Sequence, residues 1–409
     1  MMSNAASPNA ASPNVALERR RRYAGPALFS YGFRVFFLSA SLWAALGILI
    51  WLPTYLGWLP FATAFDPLDW HIHEMIFGYA AAAIAGFLLT AIPNWTGRLP
   101  VNGWPLAGLA GLWLAGRVAV LASSSLGPLV TAVIDLAFLA TLGFVCAREI
   151  IAGKNWRNLR VLGVVATLTL TNAFFHFEAY SAGTADYSRR LAIAAVIVLI
   201  ALIGGRIVPS FTNNWLARNN PGRMPVPFSR YDGATLAISV LSLAAWTVAP
   251  TEPMVGVALL IAGAMQTVRL ARWAGDRTFA DRLVLVLHVA YAFVPLGFVL
   301  TGLAVAADLP ASAGLHAWGA GAIGLMTLAV MTRASLGHTG HALRAGPATQ
   351  AIYGLVFAGA VLRVCAALIG DIPVLEAAGV LWIAGFALFA ASYGPLLVRQ
   401  RPAWAEARC

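Results

Sequence analysis

The feature that most constrains this chain is a succession of apolar runs, about twelve in number, each near the ~20 residues that an α-helix needs to cross a bilayer's hydrocarbon core. The expected spans cover residues 33–52, 73–92, 104–122, 126–147, 161–177, 191–209, 234–248, 254–273, 283–305, 315–331, 348–369 and 374–398. Composition points the same way. Of the 409 residues 60% are hydrophobic and 11% charged, with a mean hydropathy of +0.77. Soluble domains carry roughly 25% charged residues, so this chain cannot cover a globule with polar surface. The expected fold class is all-α: a polytopic membrane protein with about 12 transmembrane helices.

Residues 1–17 repeat AASPN and hold no apolar face, which reads as a disordered tail. The expected division is a cytoplasmic N-terminal tail over 1–26, a twelve-helix domain over 27–398 and a short cytoplasmic tail over 399–409. Arg19, Arg20, Arg21 and Arg22 before an apolar run mimic a secretory signal. The run is too long for a signal's apolar region and is read as a retained first span. With the N-terminus inside, 23 of the 27 Lys and Arg fall in inner segments, counting the inner ends of the spans. Two, Arg189 and Arg190, fall outside, and Arg117 and Arg363 lie within spans. That asymmetry is the positive-inside pattern and puts both termini in the cytoplasm. Topology thus absorbs the net charge of +11, and no nucleic-acid partner is expected; the partner is the lipid bilayer. Cys146, Cys365 and Cys409 form no CxxC, so neither a disulfide framework nor a thiolate zinc site is indicated.

The chain also resembles itself. Arg34, Arg160 and Arg282 open spans one, five and nine. HEMIFGYAAAAIAGFLLTAIPNWTG from His73 aligns without gaps to HAWGAGAIGLMTLAVMTRASLGHTG from His316, and Arg117 matches Arg363 in the spans that follow. Three four-helix pseudo-repeats of about 120 residues are expected, forming one joint bundle.

An ionisable side chain at mid-bilayer costs at least ~2.5–3.5 kcal/mol, so each needs a partner or a task. His71, His73, His176 and His316 fall at or near outer helix ends, and Arg117 and Arg363 sit roughly 8–9 Å in. Imidazoles converging from several helices can hold haem iron or copper. A haem's propionates need cations, which Arg117 and Arg363 could supply. His73 and His316 begin matching spans and are expected to face each other. On a regular helix His71 and His73 point about 200° apart, so both serve one metal only if the helix begins between them, a start that Asp69 could cap. The alternative is that these His and Arg side chains merely hydrogen-bond helix ends and snorkel to the interface.

Other residues leave choices open. The run from His71 to Glu74 lacks the second His of a zinc-protease HExxH, and Glu74 is a candidate to orient a ligating imidazole or simply a polar helix start. On the inner side, LGHTGH carries His338 and His341, which could join His288 in a second site or form a solvated turn. His341 is expected to be a bystander and His288, inside its span, to affect cofactor content. Asp135, midway along span four, is a candidate partner for an Arg, or a proton relay. Most of the 14 Trp are read as interface anchors or packing. Pro93, Pro209 and Pro295 are expected at helix ends or kinks.

The long stretches FRVFFLSA at Phe33, WHIHEMIFGYAAAAIAGFLLTAIPNWTGR at Trp70, LWLAGR ending at Arg117 and NAFFH ending at His176 carry a family likeness. So do GGRIVPSFTNNWL at Gly204, LHVAYAFVPLG at Leu287 and LHAWGAGAIGLMTLAVMTRASLGHTG at Leu315. Over roughly residues 27–398 the chain resembles the NnrS family of bacterial haem- and copper-containing membrane proteins. The resemblance implies twelve helices in the bacterial inner membrane, haem b, copper, and a role in nitric oxide tolerance linked to denitrification and nitrosative stress. Its matching metal positions are His71, His73, His176, His288, His316 and His338, while His341 stands where the family more often has Arg. The cofactor-binding set read from resemblance and depth together is His73, His316, His288, Arg117 and Arg363. A weaker, architectural likeness is to the catalytic subunit of haem-copper oxidases and nitric oxide reductases, but spans six and seven here carry no His for that copper site. The expected function is a membrane haem and copper protein that binds or turns over nitric oxide, served by an unidentified electron donor. The rival readings are a haem or copper transporter and a non-catalytic nitric oxide sensor or sink.

Overall fold

The computed structural model describes residues 23–60 and 63–400. The expected tails before residue 23 and after residue 400, with Cys409, lie outside the described residues. Among the described residues twelve helices are long and apolar enough to span a membrane: α1 Gly32–Tyr55, α2 Pro67–Thr96, α3 Trp104–Leu121, α4 Pro128–Ala152, α5 Trp156–Ala182 and α6 Asp186–Asn219. The second half comprises α7 Arg230–Val248, α8 Pro253–Arg277, α9 Arg282–Ala306, α10 Ala311–Thr339, α11 Pro347–Ile369 and α12 Ile372–Val398. Each overlaps one expected span, and no strand occurs among the described residues.

Local chemistry sets the boundaries. The Asp66 carboxylate accepts from the Leu68 N–H at 2.9 Å with Pro67 in the first helical position, so α2 starts there and not between His71 and His73. His71 and His73 therefore share one continuous helix and point apart. Asp69 accepts instead from the Ala185 N–H at 3.0 Å, tying α2 to the α5–α6 turn. Gly97, Gly183, Gly340 and Gly370 end their helices in the left-handed region that glycine tolerates best. Pro93, Pro209 and Pro295 all lie inside helices rather than at their ends. At 34 residues α6 is about 51 Å long, against a ~30 Å hydrocarbon core, so it extends well past the expected stop at Pro209.

Helices α2, α6 and α10 form the inner three, with 83%, 72% and 67% of their apolar stretches buried, and α1 and α9 are as enclosed as α10. Around them α1 packs on α12, α4 on α5 and α8 on α9, while α10 touches both α2 and α6. An apolar cavity of about 70 Å³ lies where the three inner helices meet. Both α2 and α10 contain a seven-residue π-helical segment, Glu74–Ala80 and Ala317–Ile323. Each begins on the residue after the aligned His, His73 or His316. Such π segments recur at functional sites because the extra residue per turn re-aims side chains. The end of the bundle where α1 finishes and α2 begins, here the far end, is where α2 carries His71 and His73 and α10 carries His316.

Candidate functional site

The far end holds two separate histidine clusters, one on each side of α2. The first gathers His73 and Glu74 from α2, Arg117 from α3, Asp135 from α4, and Asn172 and His176 from α5. Asp135 is its hub. Its Oδ2 lies 3.1 Å from His73 Nε2 and 3.1 Å from His176 Nε2, and accepts from Asn172 Nδ2 at 2.7 Å. Its Oδ1 accepts from Arg117, whose other terminal nitrogen donates to Glu74 Oε1 at 2.5 Å. Glu74 Oε1 also lies 3.0 Å from His73 Nδ1, and its Oε2 accepts from the Trp43 indole at 2.6 Å.

This arrangement is short of one cation. Two carboxylates face one guanidinium, all nearly inaccessible to solvent. Both nitrogens of His73 face oxygen acceptors: Glu74 on one side, Asp135 and the Asn172 Oδ1 at 3.0 Å on the other. A neutral imidazole has one N–H for those two sides, so a second cation, a metal ion or a proton, completes the set. The ligand atoms of His73, Asp135 and His176 all lie within 4.8 Å of one another, and among the described residues they are the one such group of three. With metal bonds of ~2.0–2.1 Å to nitrogen and oxygen, ligands of one ion sit about 3 Å apart, close to the 3.1 Å contacts present.

The surroundings fit that chemistry. Rings of Phe65, Phe77 and Phe175 lie 5.5, 5.1 and 5.4 Å from the His73 ring and exclude water. Close backbone approach is built in at Gly116, where a Cβ would sit 2.8 Å from Asp135 Oδ1 and 3.2 Å from its Cα.

The second cluster comprises His71, His316, Trp51 and Arg363. The rings of His71 and His316 are 6.5 Å apart at 14°, and Trp51 stacks on His71 at 4.1 Å. His316 thus faces His71, not His73 as the repeat had led us to expect. The matched arginines part company too. Arg117 is engaged by two carboxylates, whereas Arg363 makes no salt bridge or hydrogen bond among the described residues and lies close enough to act electrostatically on both imidazoles.

At the opposite end the histidines do not assemble. His288 Nε2 donates to the Thr212 hydroxyl at 2.8 Å, His338 packs against Tyr31 and Phe33, and His341 pairs with Thr339. Asn172, Trp43 and Trp51 were not singled out by the sequence. Asn172 stood four residues before His176, on the same helical face, which was the available signal.

A family model described as NnrS protein matches residues 27–401. No curated protein matches the chain.

Proposed function

The chain belongs to the NnrS family, and on that premise we propose that it is a haem- and copper-containing inner-membrane protein that binds or turns over nitric oxide, with a copper centre at His73, Asp135 and His176. The observation that carries the reading is the buried donor set: two imidazole nitrogens meet one carboxylate oxygen in a cluster where two carboxylates share one guanidinium. Copper heads the affinity order of divalent metals for such nitrogen and oxygen sites. Two His and one carboxylate with open positions also suit ferrous iron, a second reading that metal analysis separates.

Each neighbour has a defined task. Arg117 holds Asp135 by Oδ1, leaving Oδ2 for the metal. Glu74 binds His73 through Nδ1 and so turns Nε2 towards the centre, and such outer partners typically govern metal affinity by 10–100-fold. The three Phe rings keep the centre dry. Bound copper would supply a redox-active ion with an open position, and nitric oxide, small and uncharged, reaches a buried apolar site through the bilayer.

The test is metal content of the detergent-purified protein beside nitric oxide consumption with added reductant. Tightly held, stoichiometric metal with consumption supports turnover; the same metal with binding alone supports a sensor or sink. Metal that exchanges freely supports a carrier and contradicts the proposal.

A further inference from the structure

The second cluster contains polar groups that the protein itself leaves unsatisfied. His71 Nδ1 is buried with no hydrogen-bond partner, and so is the Trp51 indole nitrogen beside it. His316 Nδ1 donates to the Ser312 carbonyl at 2.7 Å, which fixes the proton there and leaves Nε2 with a bare lone pair. Arg363 forms no salt bridge among the described residues. Leaving a buried polar group unpaired costs about 1–3 kcal/mol, so the two buried nitrogens, beside a bare imidazole lone pair and an arginine, call for a ligand.

The ring geometry indicates which kind. Rings in face contact lie about 3.5–4 Å apart, so 6.5 Å is not stacking. An imidazole–metal bond is ~2.0–2.1 Å and the ring centre lies about 1.1 Å behind the nitrogen, so two imidazoles on opposite sides of one ion have centres about 6.3 Å apart. The observed 6.5 Å and 14° match that spacing.

We propose that His71 and His316 are the two axial ligands of the haem, with Arg363 binding one of its carboxylates, at a site distinct from the His73 centre. This rests on the reading of the chain as a haem protein, but not on the copper assignment. Among the described residues His71 and His316 belong to no group of three metal donors, so the pair suits an ion that brings its own equatorial ligands. A tetrapyrrole brings four equatorial nitrogens and two carboxylates, and it thereby satisfies both the axial pair and Arg363. Trp51, stacked at 4.1 Å and 24°, holds the His71 plane, and the Ser312 carbonyl holds the His316 plane.

The experiment compares haem and copper in protein purified from cells supplied with both metals, by absorption and low-temperature electron paramagnetic resonance. Wild type should show a low-spin bis-imidazole haem. His71→Ala and His316→Ala should each lose at least tenfold in haem retention, or convert the remainder to high spin, with copper unchanged. His316→Met should keep a six-coordinate haem with an altered spectrum, which guards against simple misfolding. Arg363→Leu should release haem faster to an apoprotein acceptor while its spectrum stays wild type. His176→Ala should lose copper and keep the bis-imidazole signal. Wild-type haem spectra in both His71→Ala and His316→Ala overturn the proposal, as does a wild type that binds no haem. Haem present without copper overturns the copper centre alone.

Discussion

His71 and His73, two positions apart on α2, serve opposite sides of that helix: His71 stacks on Trp51 and faces His316, and His73 faces Asp135 and His176. One helix therefore separates two clusters of different character. The His73 side is crowded with carboxylates and closed by ion pairs. The His71 side has unsatisfied nitrogens and, among the described residues, a cation without a salt bridge. The predictions below follow from that division.

Arg117 and Arg363, matched by sequence, should fail differently when removed. Arg117→Leu leaves Glu74 and Asp135 buried without their cation, a loss worth about 3–5 kcal/mol. Unfolding in detergent should show a strongly destabilised protein, whereas Arg363→Leu should unfold nearly as wild type does. Equal stability of the two variants would contradict the ion-pair account.

Gly116→Ala should loosen the α3–α4 contact. Its methyl group would press on the Cα of Asp135 as well as its carboxylate, and backbone cannot swing away as a side-chain tip can. Overpacking of this kind costs about 1–3 kcal/mol, and metal affinity should fall with it. Gly111→Ala, with nothing near the added carbon, is the control and should be silent in both melting temperature and metal content.

His288→Ala should act on stability alone. The variant loses the bond to Thr212, worth about 1 kcal/mol, and among the described residues His288 belongs to no group of three metal donors. Metal analysis of the purified variant should match wild type. A metal loss comparable to that of His73→Ala would place a further centre at that end of the bundle.

The basic residues give an orientation that reporter fusions can check. A cytoplasmic reporter should be active after Arg399 and a periplasmic one in the turn near Asp186. The opposite pattern would invert the bundle and put both clusters on the cytoplasmic side.

The twelve spans were legible because each must be apolar along its whole length, a signal that no tertiary contact can hide. The side-chain pairings were legible only in part. The opposed faces of His71 and His73 followed from helical geometry, and Asp135 was marked as an Arg partner by its depth. Which histidine meets which was hidden, since His73 is 103 residues from His176 and His316 is 245 from His71. Those meetings depend on how α2 packs against α5 and α10. The repeat suggested His73 opposite His316, but on the continuous helix that begins at the Asp66 cap it is His71 whose side faces α10. The extension of α6 was missed because its last turns are polar, where an apolar pattern ends although the helix does not.

The most direct test of the central claim is the copper bound per protein in wild type and in Asp135→Asn, measured on folded, detergent-purified samples. The substitution keeps the shape of the side chain and leaves Arg117 paired with Glu74, so it removes the shared ligand without exposing a charge. The account predicts stoichiometric metal in wild type and at least a tenfold loss of affinity in Asp135→Asn. Wild-type metal content and affinity in Asp135→Asn would show that the His73 cluster is an ion-paired core and that any metal is held elsewhere.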